Sequence, residues 1–238
     1  MIWEAATQPA PTFFGTAFLN DQPYFFQRLA DRAFPSEFMA MVARDTQKQP
    51  ARYTDIMGDD AGRALRVLPW SYIASPLAVG VFGSNSDLLA ISYATLIRFP
   101  LDHRAGATKV PMHLRTGINL SFAVDSEHEG KSLGFLAACL AVKAASQEWP
   151  TLDHRHKVNI QTKTNNGPGI ALATRLGAAP CEEAGFSFSH PDGALRTYCG
   201  FRSPWSEIVA NASAHLSQLL VLADFEEETD SLINSAAP

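Results

Sequence analysis

The spacing of apolar residues changes several times along this chain, and each change predicts an element. Phe13 to Leu19 is a short apolar run that predicts a first strand. Asp21 followed by Pro23 is a helix-start signal, a capping carboxylate ahead of a proline that suits a first turn. The spacing of Phe25, Leu29 and Ala33 then predicts a helix to about Phe34. Pro35-Ser36-Glu37 restarts a second helix through Phe38, Met41 and Val42, and Gln47 to Arg63 is polar and turn-rich. Beyond it, Leu77 to Phe82 and Leu88 to Phe99 are apolar runs around Gly83-Ser84-Asn85-Ser86-Asp87, which predicts a hairpin.

Leu101 to Arg115 has little pattern and leads into a third run, Ile118 to Val124. A helix is predicted from about Gly130 to Gln147, where Leu133, Leu136, Ala137, Leu140, Ala141 and Ala144 share one face. Val158 to Thr162 predicts another strand, followed by a short helix ending at Gly177, a left-handed cap candidate. Phe186-Ser187-Phe188 and Leu195 to Phe201 flank Pro191-Asp192-Gly193 as a second hairpin. Ser203-Pro204-Trp205 opens a last helix with an apolar stripe of Trp205, Ile208, Val209, Ala212, Leu216, Leu219 and Leu220. The stripe needs a partner, either the core or a second copy of the chain in a homodimer. The order α-α, β-hairpin, β-α-β-α, β-hairpin, α predicts an α/β protein whose mixed, mostly antiparallel sheet is flanked by helices.

This pattern divides the chain into a flexible arm over 1–12, a body over 13–202, an amphipathic helix over 203–223 and an acidic tail over 224–238. At 238 residues, 46% of them apolar and 18% charged, the chain is long enough to bury a substantial core. The net charge of -5, with no concentrated Lys/Arg run, argues against a nucleic-acid partner. No stretch approaches the roughly 20 apolar residues of a membrane span. Cys139, Cys181 and Cys199 are odd in number and widely spaced, without a zinc pattern, so reduced thiols in a cytoplasmic protein and no metal are expected. Cys139 falls among apolar helix positions and is read as packing. His154 and His156 alternate in a loop and make a poor metal site.

The chemistry concentrates in Ile118 to Gly134. There a strand runs through Asp125-Ser126-Glu127-His128-Glu129-Gly130-Lys131-Ser132-Leu133 into a helix. Such a junction turns unpaired backbone N–H groups toward a ligand at the positive end of a helix, which suits phosphate. Gly130 allows close backbone approach, and Gly134 allows tight packing of helix on sheet. Gly130-Lys131-Ser132 also completes the second half of the P-loop pattern Gly-x-x-x-x-Gly-Lys-Ser/Thr, but Asp125 stands at its first glycine.

The same stretch resembles the GNAT acyltransferase superfamily, whose strand–loop–helix signature is Gln/Arg-x-x-Gly-x-Gly/Ala. Glu127-His128-Glu129-Gly130-Lys131-Ser132 occupies that loop, with Glu127 and Ser132 departing from it. The family's later motif, Asn-x-x-Ala-x-x-Leu-Tyr-x-x-x-Gly-Phe, is similar to the stretch from Asn166 to Ala178. Ala173 there replaces the tyrosine thought to protonate the departing thiolate. The resemblance implies that acetyl-CoA is the co-substrate, held by Phe122, Ala123, Val124, His128, Glu129, Gly130, Lys131, Ser132, Leu133, Gly134 and Asn166. It implies acetyl transfer to a small or peptidic amine by direct attack in a ternary complex. His128, Tyr93 and Tyr198 are the candidate proton carriers, with Asp125 and Glu127 near them, because an ammonium must lose a proton and a thiolate must gain one. Two other classes stay open: a GNAT-like module that binds or regulates without catalysis, and a P-loop nucleotide-binding protein.

Overall fold

The computed structural model describes residues 2–5, 13–29, 34–48, 77–97, 117–189 and 195–218. The strands are β1 (Ile2–Ala5), β2 (Phe13–Leu19), β3 (Gln22–Leu29), β4 (Leu77–Phe82), β5 (Leu88–Ile97), β6 (Gly117–Val124), β7 (Lys157–Lys163), β8 (Phe186–Ser189) and β9 (Leu195–Pro204). They form one sheet in the order β1-β2-β3-β4-β5-β6-β7-β9-β8. β6 and β7 pair in parallel, and every other pairing is antiparallel. The helices are α1 (Phe34–Lys48), α2 (Leu133–Glu148), α3 (Gly167–Arg175) and α4 (205–218). The mixed sheet with flanking helices is therefore as the pattern of apolar runs predicts.

The helix expected from Pro23 to Phe34 is instead β3 followed by the start of α1. Asn20 and Asp21 both adopt left-handed φ, 51° and 59°, which closes a two-residue hairpin between β2 and β3. Tyr24 and Phe26 on one face and Phe25 on the other are each covered, so a period of two overrides the helical spacing of Phe25 and Leu29. Pro23 lies at the start of β3, ahead of Phe25 where pairing to β4 begins, a position at which a strand tolerates proline. Within the arm expected over 1–12, residues 2–5 form β1 on the edge of the sheet. Ser203 belongs to β9 rather than capping α4. Its hydroxyl donates to the Gly177 carbonyl and accepts from the Ala179 N–H. The expected loop over 101–115, the turn at Pro191-Asp192-Gly193 and the acidic tail lie outside the described residues.

Two cores follow from the two faces of the sheet. On one face α2 is buried along nearly its whole length, from Leu133 to Ala145, against β4, β5 and β6. Such a helix is apolar on most sides because protein packs around most of it, with Lys143 the exposed position within that span. The α4 stripe joins this core, with Trp205, Ile208, Ala212 and Leu216 all buried there. Those stripe residues therefore find their partner within the same chain. On the other face α1 packs Phe38, Met41 and Val42 against Ala78, Ile91 and Tyr93. Cys139 is buried in the α2 core, and burial pushes its thiol up to about 12. Among the described residues no helix is long and apolar enough to cross a membrane.

Candidate active site

The sheet opens at the single parallel pairing. β6 stays paired to β5 as far as Val124, but its register with β7 contains just Ile118–Val158 and Asn119–Asn159. Beyond Asn119 the two strands diverge, and among the described residues the β7-facing edge of β6 from Leu120 to Ala123 pairs with no strand. Asn159 stands at the apex, 4% exposed, and neither atom of its amide has a hydrogen-bond partner. A cavity of about 290 Å³ lies past the fork, walled by Phe122 and Val124 of β6, the N-terminus of α2 and the first turns of α3.

The loop between β6 and α2 falls into two halves. In the first, every backbone N–H from 126 to 128 is used internally. Ser126 donates to the Asp45 carboxylate at 3.0 Å and Glu127 to the Asp125 carboxylate at 3.1 Å. His128 donates to the Asp125 carbonyl at 2.9 Å. The second half is open. Gly130 has φ +75° with nothing near the place of a side chain, a conformation that suits glycine. Ser132 is left-handed too and makes no side-chain cap. The first intrahelical bond of α2 runs from the Leu136 N–H to the Ser132 carbonyl. The N–H groups of Leu133, Gly134 and Phe135 therefore point out of an uncapped helix end, the positive pole of a 16-residue helix. Gly134 brings that end onto the sheet: a Cβ there would stand 2.6 Å from Val124 Cγ2.

Most of the expected cofactor residues line this cavity: Phe122, Val124, His128, Glu129, Gly130, Ser132, Leu133, Gly134 and Asn166. Ala123 and Lys131 do not. Ala123 packs on the α1 face, and the Lys131 ammonium lies 6.0 Å from the Tyr24 ring centroid. Glu127 does not line the cavity and pairs with Lys48 of α1 at 2.6 Å. Asn166 caps α3, accepting from the Gly169 N–H at 3.1 Å and donating to Thr162 Oγ1 at 2.7 Å.

The three proton-carrier candidates are not brought together. His128 sits at the loop end of the cavity, edge-on to Tyr24, with Nδ1 3.8 Å from Asp125. Burial, then the Lys131 charge, holds its pKa below the usual histidine range. Tyr93 is buried on the α1 face. Tyr198 lines a separate groove of about 420 Å³ beside Cys181 and Cys199. Ala173 is fully buried and brings no hydroxyl.

Sequence reasoning missed Arg175. Its guanidinium lies over the Phe135 ring at 3.9 Å and donates to Ser132 Oγ at 3.3 Å, at the edge of the cavity. α4 steadies this corner, as Asn211 donates to the Leu176 carbonyl and His215 meets the Arg175 carbonyl and the Phe135 ring. A cation in the last turn of a helix is an ordinary favourable feature, so nothing local marked it.

No protein-family model and no curated protein sequence matches the chain. Solved structures do. A proposed acetyltransferase of Acinetobacter baylyi ADP1 superposes with a TM-score of 0.53 at 13% identity, over 79% of this chain and 94% of that one. An N-acetyltransferase of Staphylococcus aureus Mu50 gives 0.51 at 10% identity, over 76% and 98%. A proposed acetyltransferase of Salmonella typhimurium, solved with its cofactor acetyl-CoA, gives 0.50 at 14% identity, over 76% and 94%. The chain has the fold of the GNAT acetyltransferases.

Proposed function

We propose that this protein transfers an acetyl group from acetyl-CoA to an amine. The observation that carries the reading is the fork itself: an unpaired strand edge leading from an uncapped helix end toward the apex. The open N–H groups of α2 suit a pyrophosphate, and Arg175 supplies a cation at the edge of the cavity. The vacant edge of β6 suits the amides of a pantetheine arm, which would add to the sheet as a further strand. That directs the thioester toward the apex, where an amine can attack its carbonyl. The C–N bond forms, the C–S bond breaks, and the thiolate leaves.

His128 then belongs to the phosphate end, because the five residue-to-residue steps from Val124 back to Asn119 span about 17 Å of strand. The amine proton passes to water in this reading, and a coenzyme A thiolate needs little help to leave. The P-loop alternative meets a specific obstacle, since a P-loop cradles phosphate with the amides ahead of its Gly-Lys. Here those of 126–128 are already bonded. A catalytically silent module of the same fold draws support from the buried Ala173.

Calorimetric titration separates these readings. Acetyl-CoA should bind saturably, Gly130→Glu should abolish binding, and thiol release should follow addition of an amine panel. Binding of ATP–magnesium in place of acetyl-CoA would overturn the proposal in favour of the nucleotide reading. Acetyl-CoA binding with no thiol release from any amine would favour the silent module.

A further inference from the structure

The closed half of the loop is fastened to an element some 80 residues earlier in the chain. Three residues in the last turn or so of α1 make the contacts: Arg44, Asp45 and Lys48. Arg44 donates through Nη2 to the Leu88 carbonyl at 2.8 Å and through Nη1 to Asp87 at 3.2 Å. Its Nε lies 3.8 Å from the Asp125 carboxylate, which is almost wholly buried. Asp45 is 0% exposed and accepts the Ser126 N–H. Lys48 closes the series on Glu127. A buried carboxylate is costly unless strong donors satisfy it, so Asp45 is an expensive residue at a place where an apolar one would pack. Its carboxylate reaches the loop at Ser126, two residues past the end of the cavity-lining strand.

We propose that Asp45 is a positioning residue for the acyl-CoA loop, and that α1 acts through it as a strut holding the open amides in place. The inference rests on the acetyl-CoA reading of the cavity. With Ser126, Glu127 and His128 immobilised, the short Glu129–Ser132 span is anchored at both ends, by the strut and by α2. A ligand then meets amides already ordered and does not have to order them on binding. Because α1 lies on the face of the sheet opposite the cavity, whatever moves α1 will be felt as a change in acyl-CoA affinity. By linkage the reverse holds equally.

Asp45→Ala and Asp45→Asn test this. The asparagine oxygen can still accept the Ser126 N–H, whereas alanine cannot. Asp45→Ala should weaken acetyl-CoA binding about ten-fold, the scale of one residue left to be ordered by the ligand. Turnover at saturating acetyl-CoA should stay near that of the wild type, and Asp45→Asn should bind within about two-fold of it. Amide hydrogen exchange reads the strut without any ligand. In the wild type Ser126 to His128 should be protected while Gly130 to Ser132 exchange freely, and Asp45→Ala should release the first set. Equal acetyl-CoA affinity in Asp45→Ala and wild type overturns the proposal, as does an Asp45→Asn as weak as Asp45→Ala. If Asp45→Ala does not fold, the wild type still decides: a Ser126 amide exchanging as fast as Gly130 overturns it. If the wild type binds no acetyl-CoA, the functional reading fails on its own, and the exchange pattern separately decides whether Asp45 holds the loop.

Discussion

Two helix N-termini meet in one cavity, and they are finished in different ways. At α3 the end is closed: Asn166 takes the Gly169 N–H, Pro168 has none to offer, and the Ile170 N–H begins the helix on the Asn166 carbonyl. At α2 the end is open, with Ser132 left-handed, no side-chain cap and three N–H groups directed outward. The longer helix with the stronger pole is the one left uncapped. A capped terminus is a stability device, whereas an uncapped one beside a cavity is a place for an anion. On the proposed acetyl-CoA reading, the end of α3 serves structure and the end of α2 serves binding, and the contrast can be broken.

The largest effect is expected at Gly134, where the open end is pressed against the sheet. Gly134→Val adds atoms where Val124 Cγ2 already stands 2.6 Å from a Cβ, and should cost about 2–3 kcal/mol. A melt should show Tm lower by roughly 5–10 °C. Arg175→Ala should leave Tm nearly unchanged but weaken acetyl-CoA by about ten-fold, the worth of one charge-assisted contact to a phosphate. An unchanged affinity would detach Arg175 from the site. Asn166→Ala should do the opposite at the closed end, costing about 1 kcal/mol in urea unfolding. A loss of acetyl-CoA affinity as large as that of Arg175→Ala would show that the cap also binds.

At the fork apex, Asn159→Leu should raise stability by about 1 kcal/mol, because its buried amide has no partner to lose. The smallest effect is on pH dependence. The pKa of His128 is depressed in the fold, so its neutral form is the one the fold favours. Its contribution is present above the unfolded value near 6.5 and is lost as pH falls through the lower folded value. The urea midpoint should fall between about pH 7 and pH 5 by more in the wild type than in His128→Gln. Equal slopes would place the histidine in a freely solvated setting.

Local patterns were legible where one element decides its own form. The junction from Ile118 through Gly130 into α2 shows in the switch from a strand-like run to helical spacing, and the glycine at a positive φ marks the turn between them. The buried, apolar role of Cys139 was legible too. β3 was not, because Phe25 and Leu29 fit a helix as well as Tyr24 and Phe26 fit a strand. The signal that decides it, the Asn20-Asp21 turn, is two residues long. Arg175 was missed because its partners, Ser132 and Phe135, lie 43 and 40 residues away.

The sequence by itself determined the order of elements from β4 onward, the apolar stripe of α4 and the strand–loop–helix junction from β6 into α2. These depend on the period of side chains and on the backbone freedom of a few residues. Tertiary structure alone decided that β6 and β7 part after Asn119, that the loop amides divide into bonded and open sets, and that α1 holds the bonded set. Each of those rests on contacts between distant segments, such as Asp45 with Ser126, 81 residues apart. A hydrogen bond across that span leaves no periodicity in the chain, since either residue would look the same if its partner were water.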